Sequence, residues 1–209
     1  MELLDLATKL ILGETKMSPL HLEKKGLRGL AIAESFRQNS KKSILSGVVM
    51  RRDLVIDGFV FGRATLDGDD ATDVILQMYE DLKRPDINYL LISGLIISLY
   101  NIIDIKKIHE SLQIPIIGVT YNDSKGIEDS IKHHFPDSYK DKIKNYQKLG
   151  IRKKITLHTS SEIFVRKEGC TIHDAKYLLD KLTLQGSFAE PLRVAQLLAK
   201  SMLQKGLSF

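Results

Sequence analysis

The chain has one cysteine, Cys170, in 209 residues. That excludes an internal disulfide and any multi-thiolate metal site built within the chain, and it fits a reducing, cytoplasmic setting. Long apolar runs are missing as well. The most apolar stretch, Tyr89–Tyr100, falls well short of the ~20 residues that a membrane-spanning helix needs, so no membrane is expected as a partner. The apolar start, Met1–Leu12, carries acids and has no basic lead-in, unlike a secretory signal. Neither GxGxxG nor GxxxxGKS/T occurs, so no nucleotide cofactor is expected. There is no internal repeat and no low-complexity tract.

What is present is enough for a core. Hydrophobic residues make up 43% of the chain and charged residues 27%, as in an ordinary soluble domain. The length fits one domain with a short appendage. We place a helical N-terminal extension at residues 1–26, with Met17 as a second candidate start, and a single domain at residues 27–209. The net charge of +5 is unevenly spread. Between Ile131 and Glu168 ten lysines and arginines face four acids, a surplus of six that exceeds the charge of the whole chain. Such a patch suits a phosphate backbone through counterion release. It equally suits a solvated, lysine-rich helix face.

The rest of the chain is arranged around Leu27–Asp70. A short apolar segment ends at Glu34. Two β-rich runs follow, Ser43–Arg52 and Leu54–Thr65, joined tightly at Arg52-Asp53 as in an antiparallel hairpin. Together they predict a three-stranded meander, which closes on the acids Asp67, Asp69, Asp70 and Asp73. A helix is expected over Asp70–Lys83, with Asp70 as its cap and Asp73 completing a capping-box-like pair. Asn88–Ser93 and Ile114–Thr120 are apolar enough to be strands buried on both faces. Leu95–Leu112 is expected to be a helix or a loop and helix, Ser124–His134 a short helix, and Phe135–Lys154 has no clear pattern. Ile155–His158 and Ile163–Arg166 suit a strand pair; Thr171–Leu182 and Pro191–Leu203 suit helices. A meander followed by strand–helix units and C-terminal helices is the order of a ribonuclease H-like α/β fold, with a mixed central sheet flanked by helices.

Several segments in this order, IAESF (Ile32–Phe36), GVVMRRDLVIDGF (Gly47–Phe59), DGDDAT (Asp67–Thr72), SGLIISLYNIID (Ser93–Asp104), IPIIGVT (Ile114–Thr120) and AEPLRVA (Ala189–Ala195), resemble the archaeal endonuclease dU family, a distant relative of endonuclease V. The resemblance implies a metal-dependent endonuclease of DNA repair, acting on DNA with a deaminated base, deoxyuridine first. It departs from the endonuclease V pattern at Ala33, Ala64, Ser93, Tyr121 and Gly169-Cys170. Ala33, Ala64 and Ser93 favour an alternative, a nucleic-acid-binding relative without the metal site. A small-molecule enzyme reusing the fold is a third reading.

Metal-dependent nucleases bring several carboxylates to Mg²⁺ or Mn²⁺, since hard cations take oxygen ligands. The candidates are Glu34, Asp69 and Asp70 as catalytic groups, with Asp104 as a fourth metal ligand. Each has a plainer reading: Glu34 as a solvated strand end, Asp70 as a helix cap, Asp104 with Asn101 as a polar stripe on one helix face. Phe36 is expected in the core, Arg193 paired with Glu190, and Cys170 buried without a role.

Overall fold

The computed structural model describes residues 22–124 and 126–206; the expected N-terminal extension therefore lies largely outside the described residues. The first three strands are β1 (Arg28–Ser35), β2 (Lys42–Arg51) and β3 (Ile56–Thr65). They form the expected antiparallel meander, with Ala31 opposite Val48 and Val48 opposite Phe59. The link between β2 and β3 is longer than expected. Leu54 takes a left-handed conformation there, φ 67°, and β3 begins at Ile56. The helix α1 (Ala71–Leu82) leads to β4 (Ile87–Ser93), which runs parallel to β1.

Of the two readings of Leu95–Leu112, the structure takes the one with non-helical chain before the helix. Gly94, Ser98 and Leu99 all have positive φ, which breaks the chain into a small hairpin, β5 (Ile96–Ile97) and β6 (Asn101–Ile102). The helix α2 (Ile105–Leu112) follows it. Asn101 is thus on a strand, and it shares no helix face with Asp104. Next come β7 (Ile116–Thr120), parallel to β4, α3 (Glu128–His134) and α4 (Tyr139–Lys148). The last of these occupies the stretch that had no clear pattern. The chain ends with β8 (Lys153–Thr156), β9 (Glu162–Glu168), α5 (Ile172–Leu182) and α6 (Glu190–Lys205).

Seven strands make one mixed sheet in the order β3-β2-β1-β4-β7-β9-β8. The alternation of side chains on β1 divides the core. Leu30 and Ile32 join the cluster under α1 and α2, with Ile75, Met78, Ile105 and Ile108. Ala31 faces the opposite cluster under α5, with Leu178, Leu179 and Leu182, and Ala33 packs near Ala195 of α6. Both faces of β1 and β4 are covered, which is why these strands read as unbroken apolar runs. Among the described residues no helix is long and apolar enough to cross a membrane.

The close approach of β1 and β4 rests on one glycine. A Cβ at Gly29 would come within 2.0 Å of the fully buried Tyr89 ring. Gly29→Ala should therefore cost about 1–3 kcal/mol, the usual cost of overpacking a filled core, measured by urea unfolding against the parent chain.

Candidate functional site

The parallel strands β1 and β4 end side by side, and a cleft of roughly 370 Å³ opens there. Glu34, Ser35, Phe36, Ser93 and Gln196 line it. Glu34 is the carboxylate in this wall. It is half-buried, and both of its oxygens accept hydrogen bonds from one residue: the Ser98 amide donates to Oε1 at 2.7 Å and the Ser98 hydroxyl to Oε2 at 2.8 Å. The Ser43 hydroxyl lies 2.6 Å from that of Ser98. Gln196 donates to the Glu34 carbonyl at 2.9 Å, tying α6 to the end of β1. Burial pushes the Glu34 carboxyl above its ordinary pKa, and the bonds from Ser98 and Ser43 offset only part of that. Phe36 is half-exposed and rims the cleft, so the expectation of a core aromatic fails: Phe36 follows the last residue of β1 and leaves the sheet.

The acidic loop after β3 is organised differently. Asp70 accepts from the Thr65 amide at 2.9 Å, the Thr65 hydroxyl at 2.6 Å and Asn101 Nδ2 at 2.7 Å. Burial works to raise its pKa, but these bonds outweigh it and hold the carboxyl below its ordinary value. Asp70 precedes α1 but its side chain makes no capping bond. Asn101 does that work, accepting from the Ala71 amide at 3.0 Å while donating to the Thr65 carbonyl at 3.0 Å. The expected cap and its capping-box partner Asp73 are thus corrected, since Asp70 turns back toward Thr65 and Asp73 pairs with Lys107 at 2.6 Å.

Asp69 pairs with the buried Lys142 ammonium at 2.9 Å. Asp67 meets His134 Nε2 at 3.2 Å. Asp104 caps α2, accepting from the Lys107 amide at 3.0 Å. The expected metal set, Glu34, Asp69, Asp70 and Asp104, is therefore not brought to one point. Among the described residues no three His, Cys, Asp or Glu side chains are grouped to hold a metal ion. Each expected donor is already engaged by a protein donor. The residues present do not fit a multi-carboxylate Mg²⁺ or Mn²⁺ centre.

Two neighbours went unnoticed in the sequence. Ser98 is an ordinary serine at a hairpin tip, and Lys142 is one lysine of a lysine-rich helix; neither carries a distinguishing pattern. A second hollow, roughly 330 Å³, begins at the same Ser93 and runs along the end of β7, past Tyr121, Tyr146, Arg152 and Arg166. Tyr121 stacks on Phe188 with ring centroids 3.9 Å apart. Arg193 pairs with Glu190, as expected. Cys170 is buried and its thiol is pushed up to about 11, which leaves it inert near neutral pH.

The sequence model of the endonuclease dU family matches residues 25–203. The chain belongs to that family. The UPF0215 protein of Pyrobaculum calidifontis is 31% identical over 174 residues, spanning 83% of this chain and 95% of that protein. The UPF0215 protein of Methanosarcina barkeri is 30% identical over 180 residues, spanning 85% and 91%. Among solved structures, a protein of unknown function from Archaeoglobus fulgidus superposes with a TM-score of 0.71 at 23% identity, covering 84% of this chain and 98% of that one. Endonuclease V of Ciona intestinalis, solved with a 24mer DNA containing an inosine, gives a TM-score of 0.56 at 15% identity, covering 86% and 87%. The Marinitoga piezophila Argonaute gives 0.52 at 14% identity, over 87% of this chain and 32% of that one. The family's fold is ribonuclease H-like, as the order of elements had indicated.

The Glu34 environment has a pH signature. With its folded pKa raised, Glu34 keeps its proton in the folded chain after it has lost it in the unfolded chain. Its contribution is complete below about pH 4.5, the ordinary value, and is lost as pH rises through the folded pKa. The Glu34→Gln variant has no such term. Its melting temperature relative to the parent should therefore climb as pH is raised from 4 toward 7, as read by thermal melts of both proteins across that range.

Proposed function

We propose that this chain acts on DNA as an endonuclease directed to a deaminated base, with deoxyuridine as the first substrate to test. Membership of the endonuclease dU family carries the reading. The cleft at the ends of β1 and β4 is where the chemistry would be placed, because its one carboxylate, Glu34, is held in a fixed orientation and has a raised pKa. A carboxylate in that state is suited to take a proton from an attacking water. Phe36 at the rim offers a flat apolar surface for a base drawn out of the stack. DNA is the proposed partner, and α4 presents Lys140, Lys144 and Lys148 at four-residue spacing, all exposed, as a surface for the phosphate backbone.

No step is assigned to a metal, because the donor set does not fit one. That same observation favours a second reading, a relative that binds DNA without cutting it. Ala33 is buried beside Glu34, and Ser93 is the residue at which β4 enters the cleft. Neither adds a carboxylate.

A cleavage assay separates the two. Labelled duplex and single-stranded DNA carrying one uracil or one hypoxanthine are incubated with the protein, with and without Mg²⁺ or Mn²⁺. The endonuclease reading expects base-dependent cutting that falls by about 100-fold or more in Glu34→Gln, the usual scale for loss of a positioned proton acceptor. Salt-dependent binding with no cutting under any of these conditions would leave the binding reading in its place.

A further inference from the structure

The acidic loop already has a cation. Lys142 comes from α4, yet its side chain is only 8% exposed, whereas its partner Asp69 is 70% exposed. Its ammonium is 2.9 Å from Asp69 Oδ1, 3.1 Å from the Gly68 carbonyl and 3.3 Å from the Tyr100 carbonyl. The Phe135 ring lies across from it at 4.8 Å, a cation–π contact. Two backbone carbonyls and a carboxylate converging on one point make a cage of hard oxygens, the donor type that calcium and magnesium take. In the same loop, Asp67 Oδ1 is buried without a hydrogen-bond partner while Oδ2 meets His134.

We infer that Lys142 is the resident cation of the Asp67–Asp70 loop, an ammonium tethered to α4 that fills an oxygen cage and keeps divalent metal out of it. Buried lysines are rare unless paired. The three oxygen partners match the three N–H donors of an ammonium. Of the loop's other two carboxylates, Asp70 is taken by Thr65 and Asn101, and Asp67 meets His134 through Oδ2. The inference stands apart from the nuclease reading and needs no activity.

The test uses Ca²⁺ as the probe and thermal melting of the full chain as the readout. Calcium should not move the melting point of the parent protein. Lys142→Ala should melt lower by about 3 °C or more, and Ca²⁺ should restore part of that loss, because the emptied cage can then take an ion. Calcium raising the parent as much as the variant would overturn the inference. So would a Lys142→Ala variant that melts like the parent, or one that melts low and ignores Ca²⁺, since Lys142 would then act only through its aliphatic stem. Should Lys142→Ala fail to fold, Asp69→Asn decides the matter. A change at so exposed a position is ordinarily near neutral; here it should lower the melting point by about 2 °C or more, and an unchanged melt would overturn the inference.

Discussion

Ser98 joins the three pieces from which the cleft is made. It is fully buried. Its amide and hydroxyl hold the two oxygens of Glu34 on β1, its hydroxyl lies against Ser43 on β2, and its carbonyl accepts from the Asp67 amide of the acidic loop at 2.9 Å. To do this it sits at φ 48°, and Leu99 follows at φ 73°. A non-glycine residue in the left-handed region costs of order 1–3 kcal/mol, and two occur in succession at this tip. The conformation is held because leaving Glu34 buried without donors would cost more than an ordinary lost hydrogen bond.

The acids of this face each have a task within the fold. Asp70 and Asn101 join the end of β3 to the start of α1. Asp69 receives α4 through Lys142, and Asp104 starts α2. The outcome is a face rich in carboxylates, of which Asp69, Asp70 and Asp104 are each held by a protein donor. Glu34 has its proton affinity raised by burial and an open cleft beside it. The basic helix α4, held against this face by its one inward lysine, turns Lys140, Lys144 and Lys148 to solvent.

Much of this architecture was legible beforehand, because it depends on periodicity. The apolar runs at Asn88–Ser93 and Ile114–Thr120 read as strands covered on both faces, and the Thr171–Leu182 pattern reads as a helix whose Leu178, Leu179 and Leu182 are buried. The differences came where non-glycine residues take positive φ. Leu54 lengthened the β2–β3 turn, and Ser98 with Leu99 made a small hairpin where the sequence left a helix or a loop open. The site was legible only in part. Glu34 could be found as a lone acid ending an apolar segment. The grouping of Asp69 and Asp70 with it rested on their closeness in sequence, which says nothing about where carboxylates point. Once Lys142 and Asn101 arrive from 73 and 31 residues away, both acids are turned to partners that no local pattern marks.

Protein donors, not a metal ion, hold Glu34, Asp69 and Asp70 in this structure. The most direct measurement is a crystal structure of the full chain grown with Mn²⁺ and a uracil-containing DNA, read by anomalous scattering. No manganese is expected between Glu34 and the Asp67–Asp70 loop, with Ser98 still on Glu34 and Lys142 still on Asp69. A manganese peak shared by Glu34 and Asp69 or Asp70 would contradict it.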